Sequence, residues 1–352
     1  MNHRERILAA MRHQPVDRIP TDIWATPEVW QKLRAHFGVV DNLEIFEKLD
    51  IDGIMGISPQ YIGPACPTID GIRYDEWGMG YRDQGYGSGS YEEQVVFPLA
   101  GAQSVADLEV YPWPSPDWYD YSTLPAQAAR FSGRSVQVGY TAIFYWHNRM
   151  RGLEQSLIDP LDQPEMTRFL IRRLSDFFTE YHTRCFEATR GLVDSTQVTD
   201  DFGSQNGLMI SPKVFDQFYR PGMQRAIDLA HQYSLIVFHH DDGDLRRLLP
   251  RLVEMGIDLL NPIQWRCGDW DLGWLKSEYG EKLCFHSAVD NQQTLPFGTP
   301  QDVREEVRRL IRTLGSDRTG FIIGPCHNLQ PITSVENILA LYETAHRFGR
   351  FN

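Results

Sequence analysis

The stretch SLIVFHHDDGDLRRLLPRLVEMGIDLLNPIQ, residues 234–264, decides the fold. Its opening run, SLIVFHH, is apolar and partly β-branched and reads as a buried strand. DLRRLLPRLVEMG then repeats its apolar residues at helical spacing, and IDLLNPIQ returns to a short apolar run. A strand, a helix and a strand in so little chain form a unit whose two strands run parallel, joined by a right-handed crossover. The same alternation continues in both directions. Upstream, SVQVGY (135–140) reads as a strand, MTRFLIRRLSDFFTEYHTRCFEAT (166–189) as a long amphipathic helix, GLVDSTQVTDDFG (191–203) as a strand and loop, and 211–233 as a helix interrupted at Pro221. Downstream come a helix over 269–280, a strand in KLCFHSAVD (282–290) and a helix over 299–315 with Thr299 as its cap and Pro300 in its first turn. A strand in GFIIGPCH (320–327) and a last helix over 334–349 follow. No GxGxxG follows the first strand and no Walker-type phosphate loop occurs, so the pattern favours a closed (β/α)8 barrel over an open nucleotide-binding sheet. The expected architecture is an α/β TIM barrel, a single domain over residues 1–352, with residues 1–60 as an N-terminal cap or wrap. The proline-rich VYPWPSPDWYDYSTLP (110–125) reads as a surface segment or a sub-domain boundary.

Composition excludes several classes of partner. A formal charge of −13 opposes general binding to nucleic acid or to an anionic membrane, both of which need an excess of Lys and Arg. The longest apolar runs fall far short of the roughly 20 residues that cross a bilayer. The opening MNHRERILAAMRHQ reads as a polar helix rather than a signal peptide, which makes a cytoplasmic location the default. The five cysteines, at 66, 185, 267, 284 and 326, are odd in number and form no CxxC pair, so free thiols in a reducing compartment are expected. A small-molecule partner is the expectation that remains. Aromatic residues are dense in 75–93 and 139–150, where they suit either a flat-walled pocket or a core.

In a barrel of this kind the reactive groups sit at the carboxyl ends of the strands. Those ends carry Asp200 and Asp201, His239 through Asp242, Gln264, His286 with Asp290, and Cys326 with His327. Side chains alternate along extended chain, so His240 and Asp242 share one side and can face one metal ion, while His239 points away as a structural residue. The competing reading has Asp242 and Asp244 capping the following helix and His240 making a core hydrogen bond. By the same alternation only one of Cys326 and His327 faces the cleft, and Cys326 also reads as a buried, inert thiol. Asp200 and Asp201 raise each other's pKa, which makes Asp201, and then Asp200, candidates for general acid or base, with a loop cap as the alternative for either. Gln264 is a candidate to hydrogen-bond substrate, with Trp265 as a wall and Gln205 as a further contact; loop packing is their other explanation. Tyr145, His147 and Arg149 in YTAIFYWHNRMRG stand where they would orient an anion, although a lone histidine is more often satisfied in a core.

RERILAAMRHQPVDRIP, TDDFGSQNGLMISPKVF, the stretch HHDDGD through NPIQ, and DNQQTLPFGTPQDVREEVRRLI through GFIIGPCHNLQPITSVENILALYE together resemble the uroporphyrinogen decarboxylase superfamily. Within it the chain is more similar to the corrinoid-linked methyltransferase branch than to the haem-pathway decarboxylase. The resemblance implies a barrel with a deep cleft at the carboxyl ends of its strands. The decarboxylase holds its polyanionic tetrapyrrole with segments like FMRQAGR and FSDIL; here that region reads IPTDIWATPEVW and IDGIMGISPQY, so porphyrinogen decarboxylation is not expected. The methyltransferase branch holds zinc with His-x-Cys and a distant Cys. Carried over, His240 and Asp242 fill the first pair and Cys326 the last, with His327 as the alternative third ligand and Cys326 preferred. A carboxylate in place of a thiolate makes a harder site suited to oxygen ligands, which disfavours a thiol acceptor and favours a methyl ether or hydroxylated compound.

The function implied is a metal-dependent methyltransferase moving a methyl group between a small, oxygen-linked methylated substrate and a corrinoid. The metal is a divalent ion, zinc the first choice, and Asp201 manages the proton. No DxHxxG segment occurs, so the corrinoid is expected on a partner protein. The alternatives are a cofactor-free decarboxylase or lyase acting on a small carboxylated substrate, and a non-catalytic small-molecule binding barrel. Assembly as a homodimer is left open.

Overall fold

Seven parallel strands follow one another in chain order. They are β1 (Ile54–Ile57), β2 (Ser135–Thr141), β3 (Ser195–Val198), β4 (Ile236–His240), β5 (Leu259–Asn261), β6 (Cys284–His286) and β7 (Phe321–Ile322), each paired with the next. The computed structural model in which they are seen describes residues 1–85 and 90–351. The chain from Pro20 to Ala25 lies between β7 and β1 and supplies the eighth stave. Ile323 N donates to Pro20 O at 2.9 Å, Asp22 N donates to Ile323 O at 3.0 Å, and Gly53 N, just before β1, donates to Thr21 O at 3.0 Å. The fold is therefore an α/β (β/α)8 barrel, and part of the N-terminal sixty residues is stave rather than cap. Helix His3–Met11 is fastened to these staves through the buried Asp52 carboxylate. Asp52 accepts from Arg6 Nη1 and Arg18 Nη1, both at 2.6 Å, and from Thr21 N at 2.9 Å. Burial raises the pKa of this carboxyl, but His3, Arg18 and Arg6 outweigh it and hold it below the usual carboxylate range.

The helices between strands form where apolar side chains recur every three or four residues. In Pro300–Leu314 these are Val303, Val307, Leu310, Ile311 and Leu314, all buried and each contributing roughly 1.5–3 kcal/mol against the sheet. Thr299 and Asp302 close its first turn as a reciprocal cap. Pro221 does not interrupt the helical region before β4. It occupies the first turn of Arg220–Gln232, where no N–H is needed, and the preceding residues Phe215–Tyr219 widen into a π-turn. Two helices are shorter than their apolar spacing suggests. The one after β4 spans Leu249–Met255, and the one after β5 starts at Leu272 because Asp271 accepts from Gly273 N and Trp274 N.

The largest departure lies between β1 and β2. There the chain leaves the barrel to form a four-stranded antiparallel sheet, Thr68–Ile69, Ile72–Tyr74, Gly80–Gly85 and Ser90–Val96. Of the aromatic stretch 75–93, residues 86–89, Tyr86 among them, fall outside the described residues. The proline-rich 110–125 packs on helix Pro164–Ala188, with Tyr119 edge-on to Tyr181 at 5.1 Å. This excursion overhangs the carboxyl ends of β1 to β3 and gives the barrel mouth an aromatic wall.

Candidate metal centre at the barrel mouth

Strand β4 carries His240 to the mouth, where it pairs with Asn261 of β5. The pairing runs one residue further, since Asp241 N donates to Asn261 O at 2.8 Å, so the chain stays extended and Asp242 returns to the side of His240. His240 Nε2 lies 3.9 Å from Asp242 Oδ1, and His327 Nε2 lies 3.7 Å from Asp242 Oδ2. The three residues offer ligand atoms all within 4.8 Å of one another. A tetrahedral ion bound at about 2.0–2.1 Å needs ligand atoms about 3.3 Å apart, so closure asks side chains at the widest separation to move by up to about three-quarters of an ångström each. Asp201 stands beside them, half exposed, with its Oδ1 3.8 Å from His240 Nε2 and accepting from Asp242 N at 3.2 Å. Trp24, from the eighth stave, lies over the group, its ring 5.4 Å from His240 and 6.1 Å from His327.

A buried chain of side chains fixes which nitrogen of His240 is bare. His240 Nδ1 donates to Asn261 Oδ1 at 2.5 Å. Asn261 Nδ2 donates to His286 Nδ1 at 2.6 Å, and His286 Nε2 donates to Asp22 Oδ2 at 3.0 Å. With its proton committed to Nδ1, neutral His240 presents a lone pair at Nε2, toward Asp242 and Asp201. Asp242 Oδ1 is buried and has no hydrogen-bond partner among the described residues. Burial raises the Asp242 carboxyl above the usual range and Asp201 adds to this, while His240 and His327 pull it back; burial lowers His327 in turn. Two imidazoles, one of them oriented from behind, and an unsatisfied carboxylate oxygen are a donor set that fits a divalent ion such as zinc.

His239 and Asp241 point the other way and are buried. His239 Nδ1 donates to Val198 O at 2.8 Å, and burial pulls its pKa down to about 4. Asp241 Oδ1 accepts from Phe202 N at 2.8 Å and Gly203 N at 3.1 Å, which holds the turn that carries Asp201. At Gly203 a Cβ would overlap the Asp242 carbonyl, so only glycine lets the two loops approach this closely.

The other sequence candidates divide. Asp200 is buried and accepts from Tyr145 N at 2.7 Å and Phe144 N at 3.0 Å at the start of helix Ile143–Arg151; burial holds its carboxyl well above the usual range. Gln264 Oε1 accepts from Gly243 N at 2.7 Å and so supports the Asp242 loop from behind. Cys267 Sγ donates to Gln205 Oε1 at 3.3 Å. The indole of Trp265 donates to Ala288 O at 3.0 Å, and the guanidiniums of Arg266 and Arg309 lie over its ring. Arg149 stacks on Tyr145 and Tyr81, each at 5.1 Å, whereas His147 is in the core between Tyr219 and Asp159; the anion-orienting trio is not brought together. Asp290 accepts from Gln292, Gln293 and Thr294 N–H groups and pairs with Arg266, and Asp244 pairs with Arg246. The preference for Cys326 over His327 gives way to the geometry. The Cys326 thiol donates to Ile263 O at 3.4 Å, burial pushes its pKa well up, and His327, on the opposite side of the chain, joins His240 and Asp242. Trp24, Asp22 and Asn261 carried no signal in the sequence. The first two sit in a stave too short for a strand pattern, and Asn261 preceding Pro262 reads as ordinary strand-end punctuation.

The family model for uroporphyrinogen decarboxylase (URO-D) matches residues 139–348. The chain belongs to the URO-D family. No curated protein sequence matches it. Among solved structures this URO-D chain is similar to a methyltransferase from Methanosarcina mazei, with 17% identity, a TM-score of 0.67, and 99% of each chain covered. It is also similar to a B12-independent methionine synthase from Shewanella sp. W3-18-1, with 13% identity, a TM-score of 0.49, and 94% and 97% of the two chains covered. At these identities the likeness concerns the fold. No helix among the described residues is long and apolar enough to cross a membrane.

Proposed function

We propose that this URO-D chain is a metal-dependent methyltransferase that moves a methyl group between a small, oxygen-linked methylated substrate and a corrinoid carried by a partner protein. The observation that carries the reading is the group formed by His240, Asp242 and His327, with the His240 tautomer fixed from behind by Asn261, His286 and Asp22. These three residues would hold the ion, and Cys326 would not. Once bound, a divalent ion supplies Lewis acidity toward the oxygen from which the methyl departs. Asp242, a carboxylate where a thiolate would make a softer site, favours an oxygen rather than a sulfur ligand. Asp201, half exposed and beside His240, is placed to hold the proton that the released hydroxyl requires. Asp241 and Gly203 keep the Asp201 turn against the Asp242 loop, and the Trp24 ring packs against His240 and His327. The corrinoid-bearing partner would dock over the open mouth.

The test is elemental analysis of the wild type and of His240→Ala, Asp242→Ala, His327→Ala, Cys326→Ser and His239→Ala, after incubation with zinc, cobalt or manganese salts. It is paired with absorbance detection of methyl transfer to added cob(I)alamin. One ion per chain in the wild type and in the Cys326 and His239 variants, lost in the other three, is the expected result. A wild type that takes up no ion refutes the proposal.

A further inference from the structure

Beside the metal-type group, and beneath the excursion between β1 and β2, lies a cavity of about 400 Å³. Its position joins it to the site. Gln197, in its wall, pairs with Phe238, two residues before His240 on the same face of β4, and Tyr140 pairs with Gln197. The volume is at the small end for a ligand site and suits a single ring.

The walls state what that ring must be. Trp77 and Trp146 supply flat apolar surface. Set among them are polar groups whose hydrogen-bonding capacity is not used up. The Gln197 amide makes no hydrogen bond among the described residues, and Gln137, almost wholly buried, uses only Nε2, on Ser195 Oγ at 3.3 Å. Glu76 accepts from Tyr119 OH at 2.6 Å through Oε1, leaving its second oxygen open. The described lining contains this one carboxylate and no Lys, Arg or His.

Three ligand classes meet these walls differently. An anion would face Glu76 with no cation to hold it. A quaternary ammonium would satisfy Glu76 but leave both amides unpaired, and the aromatic rings pack on one another, with Trp77 and Trp146 4.6 Å apart, rather than closing a cage around one point. A methoxyarene would stack, yet its single ether oxygen could serve one donor at most, and each buried group left unpaired costs about 1–3 kcal/mol. A sugar-like ring presents C–H faces to the indoles and a ring of hydroxyls, each both donor and acceptor, to the amides and Glu76. We infer that the cavity seats the substrate of the proposed reaction, and that this substrate is a neutral polyhydroxylated ring carrying its methyl group on oxygen, an O-methylated sugar or cyclitol. The inference rests on the methyl-transfer reading for the role of the methyl group, but the recognition of the ring stands on the cavity alone.

Calorimetry and saturation-transfer NMR on the metal-free and zinc-loaded protein test it, with 3-O-methylglucose, methyl α-glucoside, 2-methoxyphenol, tetramethylammonium and methoxyacetate as probes. At least one of the two methylated sugars should bind with or without zinc, at least about tenfold more tightly than any other probe. Gln197→Ala and Gln137→Leu should each weaken that sugar at least tenfold, while thermal melts confirm folding and zinc content stays at the wild-type level. Tighter binding of the arene, the ammonium ion or the carboxylate, or of nothing in the panel, overturns the inference; so does sugar binding that both glutamine variants retain. A protein that takes up zinc but no sugar refutes this inference and spares the proposed function. One that binds sugar but no metal does the reverse.

Discussion

Replacing Asn261 by Leu should cost both stability and metal affinity, in amounts that the hydrogen-bond chain sets. Asn261 is fully buried and links His240, at 2.5 Å, to His286, at 2.6 Å. Leucine fills the same space and donates nothing. His286 Nδ1, on a ring with no exposure, is then left without a donor, at about 1–3 kcal/mol. His240 keeps 15% of its side-chain surface exposed, so water can recover part of its loss, and the expected destabilisation totals about 2–4 kcal/mol. The second effect is on the lone pair. Without an acceptor at its Nδ1 the His240 ring is free to rotate and to carry its proton on Nε2, the atom that faces Asp242. Loss of such an orienting partner typically weakens a metal site by about 10–100-fold, or about 1.4–2.8 kcal/mol.

Asn261→Asp separates orientation from packing. Its carboxylate still accepts from His240 Nδ1 but cannot donate to His286, so stability should fall while zinc affinity stays within about tenfold of wild type. Urea denaturation measures the first quantity, and competition with a chromophoric chelator at neutral pH measures the second. The 15N shifts of the His240 ring report its tautomer without any metal. Folded Asn261→Leu protein with zinc affinity within twofold of wild type would refute the reasoning, as would Asn261→Asp protein that binds zinc as weakly as Asn261→Leu.

Exchanging His327 and Cys326 separately should be unequal. His327→Ala should lower zinc affinity by more than the roughly 10–100-fold typical of supporting groups, and Cys326→Ser by less than threefold, by the same chelator competition; equal losses would return Cys326 to the site. Gly203→Ala puts a methyl into the Asp242 carbonyl, and should push the Asp201 and Asp242 loops apart, abolishing stoichiometric zinc uptake while leaving the melting temperature within a few degrees of wild type. Asp52→Asn should destabilise the barrel by about 1–3 kcal/mol in urea, because the buried Arg6 and Arg18 lose the carboxylate they share and keep only the half-exposed Asp17 and Asp50. Since the Asp52 carboxyl is held below its unfolded value, its contribution is complete at neutral pH and is lost as pH falls below the ordinary carboxylate range. The wild type should therefore lose stability on acidification faster than Asp52→Asn does, and parallel pH profiles would count against the assignment.

The parts of this molecule that were legible in its sequence are those in which period alone carries the information. β4, the helix Leu249–Met255 and β5 follow from the switch between runs of apolar residues and helical spacing, and the pairing of His240 with Asp242 follows from alternation continued past the strand end. The same rule puts His239 on the side of the chain away from His240, and of Cys326 and His327 it is His327, not the thiol, that lies with His240 and Asp242. Family register pointed to the thiol. That register describes a site in which sulfur is a ligand, and once Asp242 stands in place of the first sulfur nothing in the sequence ties the third position to the old residue. Which neighbour faces inward depends on where Cys326 N finds its partner, the carbonyl of Val289, and that is a tertiary fact.

What stayed hidden has a common physical cause, which is that it depends on closure of the ring. Thr21, Asp22 and Trp24 form a stave only because Ile323 and Gly53 hydrogen-bond them from either side; between Pro20 and Pro27 there is no room for a strand to announce itself by alternation. Closure is also what gives those residues their roles. Asp22 reaches His286 from across the seam, and His286 reaches His240 through Asn261, so the eighth stave and β4 are coupled through the barrel interior rather than along the chain. Trp24 meets Phe238, His240, His286 and His327 for the same reason. A polar chain buried this deeply would be a liability in a protein that needed only a barrel, since each unpaired member costs more than a well-packed apolar replacement. It is satisfied at every link, and it ends at an imidazole nitrogen that has no hydrogen-bond partner among the described residues and looks toward Asp242 and Asp201. The arrangement makes physical sense if the bare nitrogen has an occupant, and Asn261, rather than any of the three residues around that occupant, is where the sequence keeps the instruction.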